Sequence, residues 1–450
     1  MRFGFRIKSA TIYLFLYFFL LGLVGSLLLK APVFYADARS VPYVDALFTT
    51  VSAICVTGLS TLSMDAFSTA GFVLILFLIE AGGFGLVSFF TIYLVFSAKK
   101  ISLLNRNIIH EYFTEDSQLE VRGILRRILS VTLLFQAVGA VFLCVILKIS
   151  GEENFLFYGI FLSVSAFCNA GFSPYSDSLA RFSDNVPFCL VICVLIIAGG
   201  LGFFVISELW EVFFLKRKKT LSLHSKIVIF FTAVLIFGGA AVIFIAEYSA
   251  AFEGMGLVSK INNAFFESIT FRTAGFETIP QKNFSSVTDF ISFVLMLTGG
   301  SPGSMAGGLK TTTIFLVIYY AYRNSMDKGN ATVFKRDISD ASFQKAVRVC
   351  VKGICLVSVM FLALLFAEKT SLKNGIFSTG DLFFEAVSAF GTVGLSKGLT
   401  GCLSAPGKLV IILMMFAGRT GITFITINGL SGRKSIKALT DYPKEDVLVG

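Results

Sequence analysis

The sequence predicts an all-α integral membrane protein in which four tandem units of helix, short pore helix, filter loop and helix surround one central pore with pseudo-fourfold symmetry. Three observations carry this. Of 450 residues, 55% are hydrophobic and only 15% are charged, at a mean hydropathy of +0.82; soluble domains average about 25% charged. Eight apolar runs of spanning length recur along the chain, and between them a short segment ending in glycine returns four times. Fifty-one Phe against one Trp, with 40 Gly and 8 Pro, describe apolar helices that approach closely at glycines. A soluble enzyme is excluded. The net charge of +10 falls in short clusters between apolar runs, not in one exposed stripe, so it indicates membrane topology and no nucleic acid partner.

The first run, about 10–29, follows Arg2, Arg6 and Lys8. Ala36-Asp37-Ala38 could pass for a signal-peptidase site, but twenty apolar residues exceed a signal h-region and suit a span. It is expected to remain as the first helix. Further spans are expected near 71–98, 128–147, 187–215, 227–246, 288–321, 349–367 and 408–430. The segments between them, too short to cross, read ALFTTVSAICVTGLS (46–60), GIFLSVSAFCNAGFS (159–173), NAFFESITFRTAGFE (263–277) and LFFEAVSAFGTVGLS (382–396). Phe48, Phe161, Phe265 and Phe384 each stand ten residues before Gly58, Gly171, Gly275 and Gly394. The register continues downstream: Gly82, Gly299 and Gly418 follow their loop glycines by 24 residues and Gly199 follows by 28. Four amphipathic helices with C-cap glycines would not share that spacing. The chain therefore divides into repeat 1 (1–98), repeat 2 with a preceding cytoplasmic connector (99–226), repeat 3 (227–348), repeat 4 (349–431) and a cytoplasmic tail (432–450).

With two spans per repeat, both termini and all connectors between repeats share one side. Those stretches hold 25 of the 38 Lys and Arg, Lys310 and Arg419 lie inside spans, and eleven remain for the other side. The positive-inside rule puts the termini in the cytoplasm and the glycine loops outside. Eight Cys form no CxxC pair and mostly lie in apolar runs, so neither a zinc site nor a disulfide framework is implied. The two His, His110 and His224, sit in polar connectors.

A helix of about ten residues reaches ~15 Å, half of the hydrocarbon core, so the loop after it lies at membrane depth. Irregular backbone survives there only inside protein or lining a wet cavity. Four such loops would form a ring of inward carbonyls, the device that replaces the hydration shell of potassium. The candidate filter residues are Cys55, Val56, Thr57 and Gly58; Cys168, Asn169, Ala170 and Gly171; Arg272, Thr273, Ala274 and Gly275; and Gly391, Thr392, Val393 and Gly394. They include no carboxylate, so selectivity would rest on backbone oxygens, with glycine permitting the dihedrals that turn a carbonyl inward. The C-terminal dipole ends of the short helices would point at the ion. Arg272 is expected to brace the loops from behind, through carbonyls or Glu267.

FCNAGFS (167–173), TFRTAGF (270–276) and SAFGTVGL (388–395), with an interrupted third-repeat span and an arginine in the last, resemble the motifs of the potassium transporter superfamily comprising the Trk, Ktr and HKT proteins. The resemblance covers nearly the whole chain, and its length, its lack of extra N-terminal spans and the ending DYPKEDVLVG bring it nearest to the bacterial Ktr-type membrane subunit. It implies channel-like potassium uptake across the bacterial plasma membrane, no bound cofactor, potassium as the substrate and sodium as a candidate activator. It also implies a homodimer, membrane lipid around it, and regulation by a cytosolic ring of nucleotide-binding RCK subunits. Serine at the first filter glycine admits sodium in some HKT relatives; here all four are Gly, which implies potassium preference. The basic connectors 99–127, 216–226 and 323–348 and the tail 432–450 are candidate docking surfaces.

Residues 298–312 place five glycines and a proline in a span, which no continuous helix tolerates cheaply. Gly303 and Gly308 have phosphate-loop separation, but Lys310 stands two residues after the second glycine instead of one, and apolar helix surrounds it. The resemblance implies instead an intramembrane gating loop beneath the filter, with Gly299, Gly300, Ser301, Gly303, Ser304, Gly307, Gly308 and Lys310 as gate residues. It implies that Arg419 controls passage beside that loop. A charge at this depth cannot face lipid without cost. A Glu80–Arg419 ion pair is one expectation; the other is that each side chain caps separate loop backbone. Sodium- or proton-coupled symport is the alternative mechanism, but symporters usually place carboxylates at the midplane and none stands in these loops.

Overall fold

The computed structural model describes residues 7–37, 40–98, 121–213, 216, 220–322 and 331–430. His110, the tail 432–450 and residues 99–120, 217–219 and 323–330 of the connectors lie outside the described residues. The first expected unit holds α1 (Ile7–Leu29), the short α2 (Tyr43–Ile54) and α3 (Thr69–Ala98). The second holds α4 (Val121–Ile149), the short α5 (Phe155–Cys168) and the pair α6 (Val186–Leu201) and α7 (Phe203–Phe213). The third holds α8 (Leu223–Glu247), the short α9 (Leu257–Thr270) and the pair α10 (Ser286–Leu297) and α11 (Thr311–Tyr322). The fourth holds α12 (Asp340–Ala367), a single turn α13 (Lys369–Lys373), the short α14 (Thr379–Gly391) and α15 (Ala405–Leu430).

All eight predicted apolar runs are helical, six of them without interruption. Among the described residues, Arg126–Ile149, Leu223–Glu247 and Asp340–Ala367 are each long and apolar enough to cross a bilayer, and the α6–α7 pair would add a fourth. That pair differs from expectation: the run 187–215 bends by 103° instead of continuing straight. Gly202 at the bend has φ +87°, and a Cβ there would lie 2.8 Å from the Pro302 carbonyl oxygen, so the chain turns where another backbone occupies its path.

The long helices are apolar all round and divide their surfaces by packing alone. Val141 and Phe142 of α4, Phe237 and Ile245 of α8, and Leu362 and Phe366 of α12 point outward, as helices in a lipid solvent do. The short helices are the reverse: every residue from Leu382 to Gly391 except Phe383 is buried, and α2, α5 and α9 are similarly enclosed. Phe48, Phe161 and Phe384 are fully buried as their shared spacing requires. In the third unit the buried place belongs to Phe266, not Phe265. The reason is local: the Ala274 amide bonds back four residues to Thr270, whereas Thr57, Ala170 and Val393 bond back five, to Ser52, Ser165 and Ser388.

Three helix starts are closed by buried glutamates from neighbouring helices. Glu247 accepts from the Ser285 amide (3.0 Å) and hydroxyl (2.6 Å) and from Thr288 at the start of α10. Glu368 accepts from the Ser404 amide (2.8 Å) and hydroxyl (2.6 Å) at the start of α15. Glu208 accepts from the Ser222 amide and hydroxyl and from Ser225 at the start of α8. A helix start presents bare N–H groups and a positive dipole end, so a carboxylate there is held in place and holds two spans together. A β-hairpin in the 323–348 connector, absent from the sequence expectation, pairs β1 (Ala331–Val333) with β2 (Arg336–Ile338). Its turn residues Phe334 and Lys335 both have positive φ, as a two-residue type I′ turn demands.

Glu247→Ala is expected to lower the thermal midpoint of the detergent-solubilised protein, because a lost cap costs about 1–2 kcal/mol. Glu253→Ala, at an exposed residue six positions on, serves as the control; equal shifts in the two variants would refute the capping role.

Candidate functional site

The four short helices end at Ile54, Cys168, Thr270 and Gly391, and the chain then reverses through the four candidate filter loops. Each reversal uses two left-handed residues. Val56 (φ 56°), Asn169 (58°), Thr273 (66°) and Thr392 (50°) stand two positions before Gly58 (99°), Gly171 (68°), Gly275 (79°) and Gly394 (97°). Glycine adopts this region freely. Asn tolerates it, while β-branched Val and Thr are outliers there that cost about 1–3 kcal/mol each and persist only where surroundings enforce them. The enforcement is visible in hydroxyl braces from the short helices. Ser52 and Ser388 accept from the Gly58 and Gly394 amides at 3.1 Å. Ser165 and Thr270 instead donate to the carbonyls of Phe172 (2.7 Å) and Phe276 (2.6 Å).

The loops converge. A Cβ on Gly58 would lie 2.5 Å from the Ala170 carbonyl oxygen and 3.1 Å from the Gly171 Cα; one on Gly171 would lie 2.9 Å from the Ala274 oxygen and 2.8 Å from the Gly275 Cα. A Cβ on Gly275 would strike the Val393 oxygen and approach the Gly394 Cα at 3.3 Å, and one on Gly394 would strike the Thr57 oxygen and approach the Gly58 Cα at 3.1 Å. The four glycines thus close a cycle, 58 to 171 to 275 to 394 and back, in which each glycine faces the carbonyl preceding the next. Four glycines and the four carbonyls that precede them, far apart in sequence, are brought to one place. A group of carbonyls with no side chain between them can take up a bare cation in place of water.

The downstream glycines have their own reason. A Cβ on Gly82, Gly199 or Gly418 would strike the carbonyl of Ile54, Phe167 or Phe390, each four residues before its loop glycine. The second helix of these units therefore packs backbone to backbone against the end of the short helix. In the third unit Gly299 instead faces the Gly307 carbonyl, because the span has already unwound.

That unwound stretch, 298–310, is two residues shorter than expected, since Thr311 already opens α11. It folds on itself through Gly299 N to Leu309 O (2.8 Å) and Leu309 N to Leu297 O (3.2 Å). Ser301 N and Met305 N donate to the carbonyls of Gly200 (3.0 Å) and Gly199 (3.1 Å), and Gly303 O accepts from Phe203 N (3.0 Å). Gly300 packs on Ser304, and Gly307 and Gly308 lie against Thr392 and the Gly391 carbonyl of the fourth loop. The Lys310 ammonium donates to the Ala306 carbonyl at 2.7 Å. Arg419 is 2% exposed and donates to the Met305 carbonyl and, at 3.5 Å, to that of Gly82.

Glu80 and Arg419 form no ion pair: Glu80 accepts from Gln136 Nε2, which also reaches Cys168 Sγ at 3.7 Å. Arg272 does not brace Glu267. Glu267 is instead held by the Thr278 amide, the Thr278 hydroxyl and Gln281 Nε2, each at 3.2 Å, while Arg272 is buried with its Nε lacking a hydrogen-bond partner. The Glu267 alternative for that brace fails because short neutral donors have already taken the carboxylate. The contributions of Gly199, Gly200 and Gly202 to the unwound stretch were missed; the run AGGLG (198–202) carried the signal.

Residues 6–430 match the TrkH family, described as "Cation transport protein". The chain is 37% identical over 438 residues to the potassium/sodium uptake protein NtpJ of Enterococcus hirae, covering 96% of this chain and 95% of that one. It is 34% identical over 443 residues to the Ktr system potassium uptake protein D of Bacillus subtilis, covering 97% and 96%. Its fold is that of the crystal structure of the potassium transporter TrkH from Vibrio parahaemolyticus, with a TM-score of 0.75 at 18% identity over 96% of this chain and 87% of that one.

Gly394→Ala and Gly151→Ala separate dihedral cost from crowding. Both residues have positive φ, but nothing lies within 4 Å of a Cβ on Gly151. Gly151→Ala is expected to cost only the ~1–2 kcal/mol of a left-handed alanine, and Gly394→Ala several times more. Comparable thermal shifts would contradict the crowded ring.

Proposed function

Because the chain belongs to the TrkH family of cation transport proteins, we propose that it takes up potassium across the plasma membrane, channel-like, through the four converging loops. The observation that supports this most is the glycine cycle itself: four loop backbones meet with no room for a side chain, so a passing ion meets carbonyl oxygens. The hydroxyl braces and the left-handed residues make that oxygen cage stiff before an ion arrives. The cycle also supports the pseudo-fourfold arrangement of four repeats, and the excess of Lys and Arg in the connectors between repeats supports loops outside and termini in the cytoplasm.

The stretch 298–310 is the gate in this reading. It is tied to the second unit by backbone hydrogen bonds, to the fourth by packing, and to Arg419 through the Met305 carbonyl. Its displacement requires those few bonds to break together. Lys310 and Arg419 hold adjacent carbonyls of the loop and set two positive charges beside the path of a cation. Control is assigned to a separate cytosolic subunit, as the word "system" in the name of the Bacillus relative suggests; a nucleotide-binding ring and a homodimer complete the assignment, with lipid against the remaining exposed apolar faces. The Enterococcus relative is named for sodium as well as potassium, which makes sodium-coupled symport the second reading.

Expression in a bacterium lacking its own potassium uptake tests this directly. Growth at micromolar potassium is the expected outcome, weakened by Gly275→Ser together with a loss of discrimination against sodium. Absence of growth by abundant, folded protein, with or without a cytosolic ring subunit, would reject potassium uptake. Sodium entering the cell in step with potassium would select symport, whereas sodium that stimulates uptake without entering would mark an activator. Arg419→Gln is expected to raise potassium flux in the absence of the regulatory subunit, and unchanged flux at equal protein level would remove Arg419 from the gate.

A further inference from the structure

Two of the four short helices carry a buried carboxylate at the same place. Phe266-Glu267 and Phe384-Glu385 both continue from a fully buried phenylalanine, whereas the corresponding residues after Phe48 and Phe161 are Thr49 and Leu162. Both glutamates are completely buried. Each reaches the chain just after it leaves the ring. Glu267 holds Thr278, three residues past Gly275, by two hydrogen bonds, and Gln281 by a third. Glu385 accepts from the Thr400 hydroxyl, and the Ser396 hydroxyl, two residues past Gly394, lies 3.0 Å from the same Thr400 oxygen. In the second unit no glutamate carboxylate serves the same stretch: Ser173 donates to the Ser178 carbonyl at 2.8 Å, and Ser178 and Leu179 exchange hydrogen bonds with Glu277 of the third unit through its backbone.

Among the described residues neither glutamate has an ion-pair partner. Glu267 is served by neutral donors alone, and Glu385 keeps a second oxygen, Oε2, buried without any donor. An isolated buried carboxylate is unfavourable unless a positive charge compensates it. The ring beside it is the place where a cation would stand.

Building on the uptake reading above, we propose that Glu267 and Glu385 are positioning residues that set the affinity and selectivity of the ring for potassium. They fix the outgoing chain of loops 3 and 4 and, ionised when a cation occupies the ring, place negative charge behind that half of the cycle. The consequence is an electrostatically lopsided site built on a geometrically even one. The ring needs no carboxylate of its own, because the attraction is supplied from behind the backbone that lines it.

Potassium uptake by cells expressing the full chain, measured across potassium and sodium concentrations, tests this with Glu267→Gln, Glu385→Gln and the double variant. Each glutamine keeps a carbonyl acceptor and loses the charge. The half-saturating potassium concentration is expected to rise about tenfold per variant, which corresponds to ~1.4 kcal/mol of lost attraction, with maximal rate per molecule nearly unchanged and potassium preference over sodium reduced. Glu385→Asp, which keeps the charge, is expected to recover part of the affinity. Stabilisation of the purified variants by potassium chloride over choline chloride gives a second readout, expected to shrink in step and measurable without transport. Reduced rates that merely follow protein abundance, with affinity, selectivity and potassium stabilisation unaltered, would overturn the proposal while leaving the uptake reading intact. Absence of uptake by the unmodified chain would overturn both.

Discussion

Four polypeptide backbones cannot converge on one point while carrying side chains, and most of the architecture follows from that exclusion. Gly58, Gly171, Gly275 and Gly394 are each within contact of the next loop's carbonyl, so the substitution of any one displaces a neighbour as well as itself. To bring the loops together, the short helices must stop deep inside the fold. To hold them there, the following helix must lie against the end of the short one, which again requires no side chain at Gly82, Gly199 and Gly418. Two tiers of glycine, one at the loops and one a span later, are a single requirement met twice. Fifty-one phenylalanines fill the space around them.

The departure of the third unit from its siblings is equally connected. Its second span does not reach the end of its short helix. It unwinds instead, and the freed amides and carbonyls are taken up by Gly199, Gly200 and Phe203 of the second unit and by Lys310 and Arg419. The bend at Gly202 and the unwound stretch are therefore two halves of one arrangement. Straightening the second unit's helix would leave Gly303 O without its partner, and rewinding the third unit would do the same to the carbonyls of Gly199 and Gly200.

The spans, the loops and the unwound segment were legible because each leaves a mark of length or spacing: twenty apolar residues, a glycine at a fixed distance, five glycines where a helix should run. What was not legible depends on partners remote in sequence. The bend at Gly202 looked like one glycine among several in a continuous apolar run, since its cause is Pro302, a hundred residues later. The left-handed Val56, Thr273 and Thr392 contradict the preferences of β-branched residues, and only the enclosing loops impose them. A glycine-based alignment chose Phe265, because a one-residue shortening between Thr270 and Ala274 leaves no trace in spacing measured from the glycine. Of the two partners expected for Arg272, loop carbonyls or Glu267, the carboxylate is excluded because short neutral donors have already taken it. The serines at 222, 285 and 404 stand at helix starts, and which glutamate faces each is decided by the packing of the spans.

The bond between Arg419 and the Met305 carbonyl joins residues 114 positions apart, and this has a bearing on how the molecule is made. A ribosome adding about 5–20 residues per second exposes the unwound stretch to the insertion machinery several seconds before the last helix exists. During that interval the segment is held by the second unit alone, with the carbonyls destined for Arg419 still open. The second span of the fourth unit, synthesised after the stretch it secures, thus completes the centre of the protein. A chain cut short before Gly391 would keep three loops of the cycle and lack both its fourth side and the guanidinium that closes the stretch below it.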